Sequence, residues 1–440
     1  MLELSYLERS GCMKYYISTL GCKVNTYESS VICDILTNAG FTKVSTPSLA
    51  DICIVNTCTV TNTADNKSLK VVRQMHRYNE NAIIVVCGCM AQKDASKVKN
   101  IPGVAVILGN RGKTKIVDYI NEFFANKKQI IDISDLSNVP FENMKLNNFE
   151  HTRAFVKIQD GCNNFCSYCI IPYTRGNVRS KERKDVLEEV NNLVKQGHKE
   201  VVLTGIHTGN YGAEFDNCHL ADLLLDILKI KGLERLRISS IEITELNDKV
   251  LDILKDNSIL VDHLHIPLQS GSNHILKLMN RKYDKEYFID KINKIRTIRP
   301  NISITTDIIV GFPGETEEDF LETIATAKTC KFSKIHVFPY SLREGTKAEQ
   351  LPNHISEEVK KERVKKLIEI SKQLEIDYMN EFKGAKVIFI PETIKENYLY
   401  GHTGNYLYIR AKGCKEMLHK DIEVIVKKIN YPYVDADIIS

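Results

Sequence analysis

From Lys14 onward, short apolar runs alternate with amphipathic stretches: KYYIST then 24–39, DICIVN then 61–78, AIIVVC then 91–99, VAVIL then 114–124. Strands that are apolar from end to end need cover on both faces, and a helix after each strand supplies it. The rhythm therefore predicts an open parallel sheet flanked by helices as a first domain, residues 14–126. Residues 127–150 lose the rhythm and gather Asn, Asp and a proline, as a linker does. A second series follows, with strands AFVKIQD, VVLTG, RLRISS, HLHIPL, SITTDIIVG and KIHVFP and its clearest helices at 185–196 and 317–331. Six β-α units over residues 148–375 predict a TIM-like barrel that is incomplete, since a full one has about eight. A charged helical segment at 356–382 leads into a region of different character, where KVIFI, YLYIR and IEVIV alternate apolar with polar residues and GHTGN and AKGC read as turns. That pattern predicts a small antiparallel β-barrel of the OB type at 376–440. The chain is thus expected to be α/β in three domains, in keeping with its 440 residues. Residues 1–12 precede a second methionine, Met13, and are read as an upstream extension without a structural role.

Charge and cysteine usage narrow the class. A net charge of +4 permits nucleic acid as a partner without demanding it, so an RNA-binding reading must rest on local patches. No uncharged apolar run of about 18 residues is present and the first residues carry acids, which argues against a membrane span or secretory signal and for a cytoplasmic protein. Thirteen cysteines is an odd number, and in a reducing compartment it points to metal or redox chemistry and away from disulfides.

Three of those cysteines share a position in the expected fold. Cys22, Cys58 and Cys89 follow the first three strands within a few residues, and the C-terminal ends of parallel strands lie along one edge, where ligands bind. The flanking TLGCKVN, NTCTVTN and CGCMAQ are small and polar and suit tight turns. Cys87 lies two residues before Cys89 and is a rival ligand; on the strand its side chain belongs to the sheet interior, so Cys89 is taken. Cys12, Cys33, Cys53, Cys218, Cys330 and Cys414 share no edge and are read as small hydrophobes. A second trio, Cys162, Cys166 and Cys169 in DGCNNFCSYC, directly follows the first strand of the second series, on the catalytic face of a TIM-like barrel. Structural zinc and electron-carrying clusters want four protein ligands. Three thiolates leave a metal position open for a substrate or cofactor.

The motifs TLGCKVNTYES, VNTCTVTNTAD, GCMAQ, DGCNNFCSYCIIPYTRG, HIPLQSGSNHILKLMNRKY and DIIVGFPGETEEDF, in this order, resemble those of the methylthiotransferases, a family of radical S-adenosylmethionine enzymes. The resemblance implies that Cys162, Cys166 and Cys169 hold a 4Fe-4S cluster whose open iron is chelated by S-adenosylmethionine, and that an electron from it cleaves the cofactor to a deoxyadenosyl radical. It further implies a second 4Fe-4S cluster on Cys22, Cys58 and Cys89 that holds or supplies sulfur, and another S-adenosylmethionine as methyl donor. No side chain can remove a hydrogen from an unactivated carbon as a proton; cofactors carry radical chemistry while the protein orients and shields it. An electron donor and a sulfur source complete the implied partners.

The resemblance also marks contacts. Tyr168 resembles the aromatic that packs near the cofactor's adenine, although a tyrosine filling the barrel mouth would look the same. The loop TGIHTG occupies the place where the superfamily binds the cofactor's amino group but carries no acid, so its backbone carbonyls are expected to serve. Ser240, Glu242 and Gln269 are candidate contacts to S-adenosylmethionine, whereas Asp307 is read as a structural, hydrogen-bonded acid. In GFPGE, Gly311, Pro313 and Gly314 shape a turn that lets backbone approach adenine. For RNA, YTRGNVRSKERK sets Arg175, Arg179, Lys181, Arg183 and Lys184 against one acid, with Arg175 and Arg179 the chosen contacts. Residues 66–79 add Lys67, Lys70, Arg73 and Arg77 with no acid between them. The C-terminal barrel resembles the TRAM RNA-binding module, with Tyr406 and Tyr408 alternating along a strand where they can stack on bases.

Within the family, GCKVN and GHTGNY resemble the branch that converts N6-threonylcarbamoyladenosine beside the tRNA anticodon to its 2-methylthio derivative. The isopentenyladenosine branch reads GCQMN, and a third branch modifies an aspartate of a ribosomal protein. Outside the family, a non-catalytic iron-sulfur or zinc RNA-binding protein would close its sites with four ligands and cleave no cofactor.

Overall fold

A computed structural model describes residues 13–146 and 153–439. The reading of residues 1–12, Cys12 among them, lies outside the described residues. The first domain is a parallel sheet in the order β2-β1-β3-β4-β5-β6, formed by β1 Lys14–Thr19, β2 Thr42–Lys43, β3 Ile52–Thr57, β4 Ile83–Gly88, β5 Val104–Leu108 and β6 Ile130–Asp132. Every residue of β3 and β5 is buried, as continuous apolar central strands require. Helices α1 Lys23–Asn38, α2 Asn62–Tyr78, α3 Cys89–Lys93, α4 Ser96–Lys99 and α5 Ile116–Asn126 connect the strands. Ile32, Leu36, Ile116 and Ile120 of α1 and α5 close one core, and Val72 and Met75 of α2 close the core on the opposite face.

Three details depart from the sequence reading. β2 is two exposed residues and β6 three residues inside the stretch read as a linker, both too short to show a periodicity. The described part of that stretch, up to Leu146, is held in place: Leu136, Met144 and Leu146 are buried, and Lys181 Nζ donates to the Met144 carbonyl at 2.6 Å. The helix expected at 91–99 is broken after Lys93, where the Asp94 carboxylate accepts from Ser96 N and Oγ at 3.1 and 2.5 Å and offers the backbone an alternative to the helix.

The second series forms six parallel strands: β7 Arg153–Lys157, β10 Glu200–Thr204, β11 Arg235–Ile238, β12 His263–His265, β13 Ser303–Val310 and β14 Lys334–Pro339. The sheets β7-β10-β11 and β12-β13-β14 meet through a parallel bridge between Leu236 and Leu260, which makes a partial barrel open between β7 and β14. AFVKIQD is divided, its end forming β8 Gln159–Asp160, which pairs antiparallel with β9 Arg179–Ser180. Helices α6 Ile171–Arg175, α7 Arg183–Lys195, α8 Leu220–Ile227, α9 Asp248–Asp256, α10 Asn273–Leu278, α11 Lys285–Ile298 and α12 Glu317–Cys330 follow the strands. α13 Glu357–Asn380, capped by Ser356, runs through the boundary read at 375 and carries Tyr378 and Met379 into the core of the last domain.

That domain is a closed barrel in the order β15-β16-β17-β19-β18, from β15 Lys386–Lys395, β16 Tyr398–Thr403, β17 Tyr408–Lys412, β18 Ile422–Asn430 and β19 Tyr433–Ile438. GHTGN is not wholly a turn, because Gly401, His402 and Thr403 belong to β16. Gly401 answers to close packing: a Cβ there would lie 1.9 Å from the Ile390 carbonyl oxygen. AKGC likewise begins in β17 with Ala411 and Lys412. Among the described residues no helix is long and apolar enough to cross a membrane.

The first domain and the partial barrel are joined by buried charge. Glu28 of α1, with no exposed side-chain surface, accepts from Lys157 at 2.6 Å, from Arg175 at 3.1 Å and from Lys113. Asp160 accepts from Lys157 at 2.7 Å, Arg175 at 3.1 Å and Arg179 at 3.2 Å. Burial pushes both carboxyls up, but Arg175, Lys113 and Lys157 around Glu28, and Lys157, Arg175 and Arg179 around Asp160, outweigh it and hold them below the usual carboxylate range. In acid the unfolded chain therefore binds more protons than the folded one, so the network's stabilisation is complete above about pH 5 and is lost progressively below it. Glu28→Ala, which strands three cations, is expected to lower the unfolding free energy by about 3–5 kcal/mol at neutral pH. Urea titrations would show this, with the gap from wild type narrowing below about pH 4; an unchanged midpoint at neutral pH would contradict the role given to the network.

Candidate active site

Both cysteine trios are built by strand ends. Cys22 is the N-cap of α1, Cys58 follows β3, and Cys89 opens α3 directly after β4. Gly21, at φ +101°, is what lets two of them approach: a Cβ there would stand 2.8 Å from Cys58 Cβ and 2.9 Å from its sulfur. Burial pushes the Cys58 thiol up to about 11, with Cys89 and Cys22 adding to the shift, so the three sulfurs sense one another. Arg175 Nε donates to Cys89 Sγ at 3.3 Å and Asn110 Nδ2 donates to it at 3.5 Å. Cys87 is fully buried in the core closed by α1 and α5, where burial pushes its thiol up to about 12.

Cys162, Cys166 and Cys169, all partly exposed, occupy the loop after β8. The loop is tight, with Cys169 N donating to the Cys166 carbonyl at 2.9 Å. It is clamped from the end of α10 and the residues that follow: Ser167 Oγ donates to the Leu278 carbonyl at 2.7 Å, and Arg281 Nη1 to Cys166 Sγ at 3.2 Å. Burial, then Cys166 and Cys162, push the Cys169 thiol up to about 12.

The donor sets suit thiolate-bound clusters. Each trio offers three soft sulfurs and one guanidinium aimed at a sulfur, Arg175 or Arg281. The network beside Cys89 sets four cations, Lys113, Lys157, Arg175 and Arg179, against the carboxylates of Glu28 and Asp160, an excess of positive charge that favours an anionic group. Among the other described cysteines, Cys53, Cys87 and Cys330 are packed in hydrophobic cores.

The remaining site residues are distributed unevenly. Tyr168 packs edge-on against Phe312 of GFPGE at 6.4 Å, beside its own cysteine loop. Glu242 ion-pairs with Arg281, the residue that reaches Cys166. Gln269, at φ +65°, continues the sheet by donating N–H to Asp307 O at 2.8 Å and accepting from Ile309 N at 2.9 Å. Ser240, half-buried, lies just past the end of β11. The Asp307 carboxylate faces His265 Nε2 at 3.2 Å, with His336 in the same group. Gly311 N donates to Glu315 at 2.6 Å, so the GFPGE turn is tied by an acid that also pairs with Arg363.

The basic loop requires correction. Arg175 has no exposed side-chain surface, Lys181 none, and Arg179 only 9%; they hold the domain interface and cannot serve as an RNA surface. A charge run in sequence does not distinguish a solvated face from a buried network whose acids, Glu28 and Glu189, come from other elements. Tyr406 is also displaced from its expected strand: it has φ +64°, precedes β17, and lies under Arg237 and Arg153 at 4.1 and 5.4 Å. Tyr408 opens β17 and stacks on His402, with centroids 4.8 Å apart and planes 20° from parallel.

Three residues escaped the sequence reading. In TGIHTG, His207 Nδ1 lies 3.7 Å from Cys162 Sγ and its other nitrogen pairs with Glu245, so the acid that the loop lacks comes from the next one. Burial lowers the His207 pKa, but Cys162 and Glu245 outweigh it and raise it to about 10. Arg281 lies in the quoted NRKY motif, yet nothing local announces that it reaches Cys166.

A partial parallel barrel with a C-x-x-x-C-x-x-C loop after its first strand defines a class, the radical S-adenosylmethionine enzymes, and residues 156–327 match the Radical SAM superfamily. Residues 14–109 match the group described as Uncharacterized protein family UPF0004. The chain is 42% identical over 96% of its length to the threonylcarbamoyladenosine tRNA methylthiotransferase MtaB of Bacillus subtilis, covering 95% of that protein. It is 37% identical to the tRNA-2-methylthio-N(6)-dimethylallyladenosine synthase of Clostridium tetani, over 94% of both chains. Among solved structures, the radical S-adenosylmethionine methyltransferase TsrM from Kitasatospora setae, with cobalamin and a 4Fe-4S cluster bound, shares the fold at a TM-score of 0.54 and 14% identity, over 74% of this chain and 75% of that one. The chain belongs to the methylthiotransferase family of radical S-adenosylmethionine enzymes. The family works with S-adenosylmethionine and 4Fe-4S clusters.

Anaerobic reconstitution of variants separates Cys87 from Cys89. Cys87→Ala is expected to keep about eight irons per chain and Cys89→Ala to fall to about four. The reverse pattern would move the ligand onto the strand.

Proposed function

We propose that the chain converts N6-threonylcarbamoyladenosine beside the anticodon of tRNA to its 2-methylthio derivative, in the cytoplasm. The observation that carries this reading is the pair of cysteine trios on facing domains, spanned by one buried side chain: Arg175, six residues after Cys169, donates to Cys89 of the other trio. In this reading Cys162, Cys166 and Cys169 hold one 4Fe-4S cluster and Cys22, Cys58 and Cys89 the second. When bound, the clusters and S-adenosylmethionine supply the radical, the sulfur and the methyl group. The protein's own part is positional: Arg175 and Arg281 offset thiolate charge, and Glu242 and Glu245 orient Arg281 and His207. Tyr168, Ser240, Glu242 and Gln269 remain the proposed cofactor contacts. An electron donor and a sulfur source complete the cycle. Within one organism, Bacillus subtilis, the identity is 42% to the threonylcarbamoyladenosine enzyme and 32% to the dimethylallyladenosine synthase, which supports the former branch.

The RNA surface moves to α2 and the C-terminal barrel, proposed as a TRAM module that meets RNA through Tyr408. Lys67, Lys70, Arg73 and Arg77 of α2 are all exposed, and the helix start is fixed to the barrel by Arg343, which donates to Asp65 at 2.9 Å and Thr59 at 2.6 Å. Among the described residues none of the four is ion-paired, and such a row of exposed cations matches a phosphate backbone. Lys70→Ala with Arg73→Ala is expected to weaken binding of an anticodon stem-loop and to reduce the slope of log K against log salt by about 1 per lost contact. An unchanged slope would leave this face solvated and unengaged.

Nucleoside mass spectrometry of tRNA from a deletion strain tests the substrate. The 2-methylthio derivative of threonylcarbamoyladenosine is expected to vanish with its unmethylthiolated precursor retained; its persistence would overturn the assignment.

A further inference from the structure

A cavity of about 580 Å³ opens where the three domains meet. Its walls include His265 and His336 from the barrel strands, His402, Tyr406 and Tyr408 from the C-terminal barrel, and Lys23 from α1. The stacked His402 and Tyr408 rings form a flat platform of the kind on which a nucleobase stacks. The acids around the cavity have partners. Asp307 faces His265 at 3.2 Å, Glu375 pairs with Lys334 at 3.2 Å, and Glu392 takes His402 at 2.9 Å and Arg153 at 3.4 Å. Among the described residues, no hydrogen bond or ion pair engages the Lys23 amine, whose side chain is half-buried. Behind Tyr406, Arg153 Nη1 and both terminal nitrogens of Arg237 are buried without a hydrogen-bond partner. Arg237 is paired through Nε with Glu200 at 2.8 Å, which leaves Lys23, among the described residues, as the cation of this wall with no acid partner, in a partly desolvated setting that favours an incoming oxyanion.

We propose that Lys23 is a specificity-determining residue, its ammonium pairing with the carboxylate on the N6 side chain of a threonylcarbamoyladenosine whose base lies in this cavity. The inference rests on the substrate reading above and adds the group that recognises it. Lys23 directly follows Cys22, so a carboxylate held there keeps the base beside the second trio. An isopentenyl side chain is apolar; it would desolvate Lys23 and leave it unpaired, and a site built around a polar group rejects an analogue that lacks it more strongly than an apolar pocket rejects a misfit. The other oxyanion that RNA could bring is a backbone phosphate, which every RNA shares.

The test is equilibrium binding of the reconstituted enzyme to anticodon stem-loops of one sequence that carry threonylcarbamoyladenosine, its methyl ester, isopentenyladenosine or adenosine at the same position. Wild type is expected to bind the free acid about 10- to 100-fold more tightly than the ester. Lys23→Gln is expected to bind acid and ester alike, and Lys23→Arg to restore the preference, with iron content and circular dichroism confirming that both variants fold. Equal binding of acid and ester by wild type would overturn the proposal, as would a Lys23→Gln variant that loses affinity equally for all four RNAs, the signature of a phosphate contact. Tighter wild-type binding of the isopentenyl RNA than of either threonylcarbamoyl RNA would instead overturn the substrate reading itself.

Discussion

The guanidinium of Arg175 is the point on which the two halves of the site turn. It is fully buried, shared between Glu28 of the first domain and Asp160 of the barrel at 3.1 Å each, and it donates to Cys89 at 3.3 Å. A buried cation without partners is too costly to tolerate, so each of these groups must be in place for the interface to close. The planar fork of arginine meets several acceptors in fixed directions, which a lysine ammonium cannot do. One residue at the end of the cluster loop thereby specifies how the opposing domain is seated.

This seating gives the thiols their setting. Thiols raised by burial and by one another are protonated when free, and metal binding must displace those protons; neighbouring guanidinium groups favour that exchange by stabilising the thiolate. The partial barrel adds the complementary feature: with β7 and β14 unpaired to each other, its lumen is reachable from the side. A closed eight-stranded barrel would fill that space with side chains. The opening leaves room for a nucleotide between the barrel strands, the stacked rings of the C-terminal barrel and Lys23.

Much of the architecture was legible because strand rhythm and cysteine placement are local signals. KYYIST, VAVIL and KIHVFP coincide with β1, β5 and β14; only β5 is buried throughout, as a parallel strand covered on both faces requires, while β1 and β14 keep one or more faces partly open. The failures share a cause. Arg175 and Arg179 looked like a solvated basic loop because the acids that neutralise them lie elsewhere in the chain, Glu28 far upstream. His207, Glu245 and Arg281 went unseen because their roles exist only where loops from different strands meet. The stretch at 127–150 reads as a linker by composition, yet in its described part Leu136 is buried, and Met144 and Leu146 share one core with Tyr27 and Val31 of α1 and the barrel strands.

By itself the sequence determined the three architectures and the six cysteines at strand ends, because periodicity and spacing constrain the backbone directly. Only the tertiary structure decided which charges are buried and which face water. It turned a basic loop into an interface, left Lys23 in a cavity wall with no partner among the described residues, and brought His207 and Arg281 against the sulfurs. The physical reason is that a charge's state depends on partners and dielectric, and both are set by whatever distant segments fold against it.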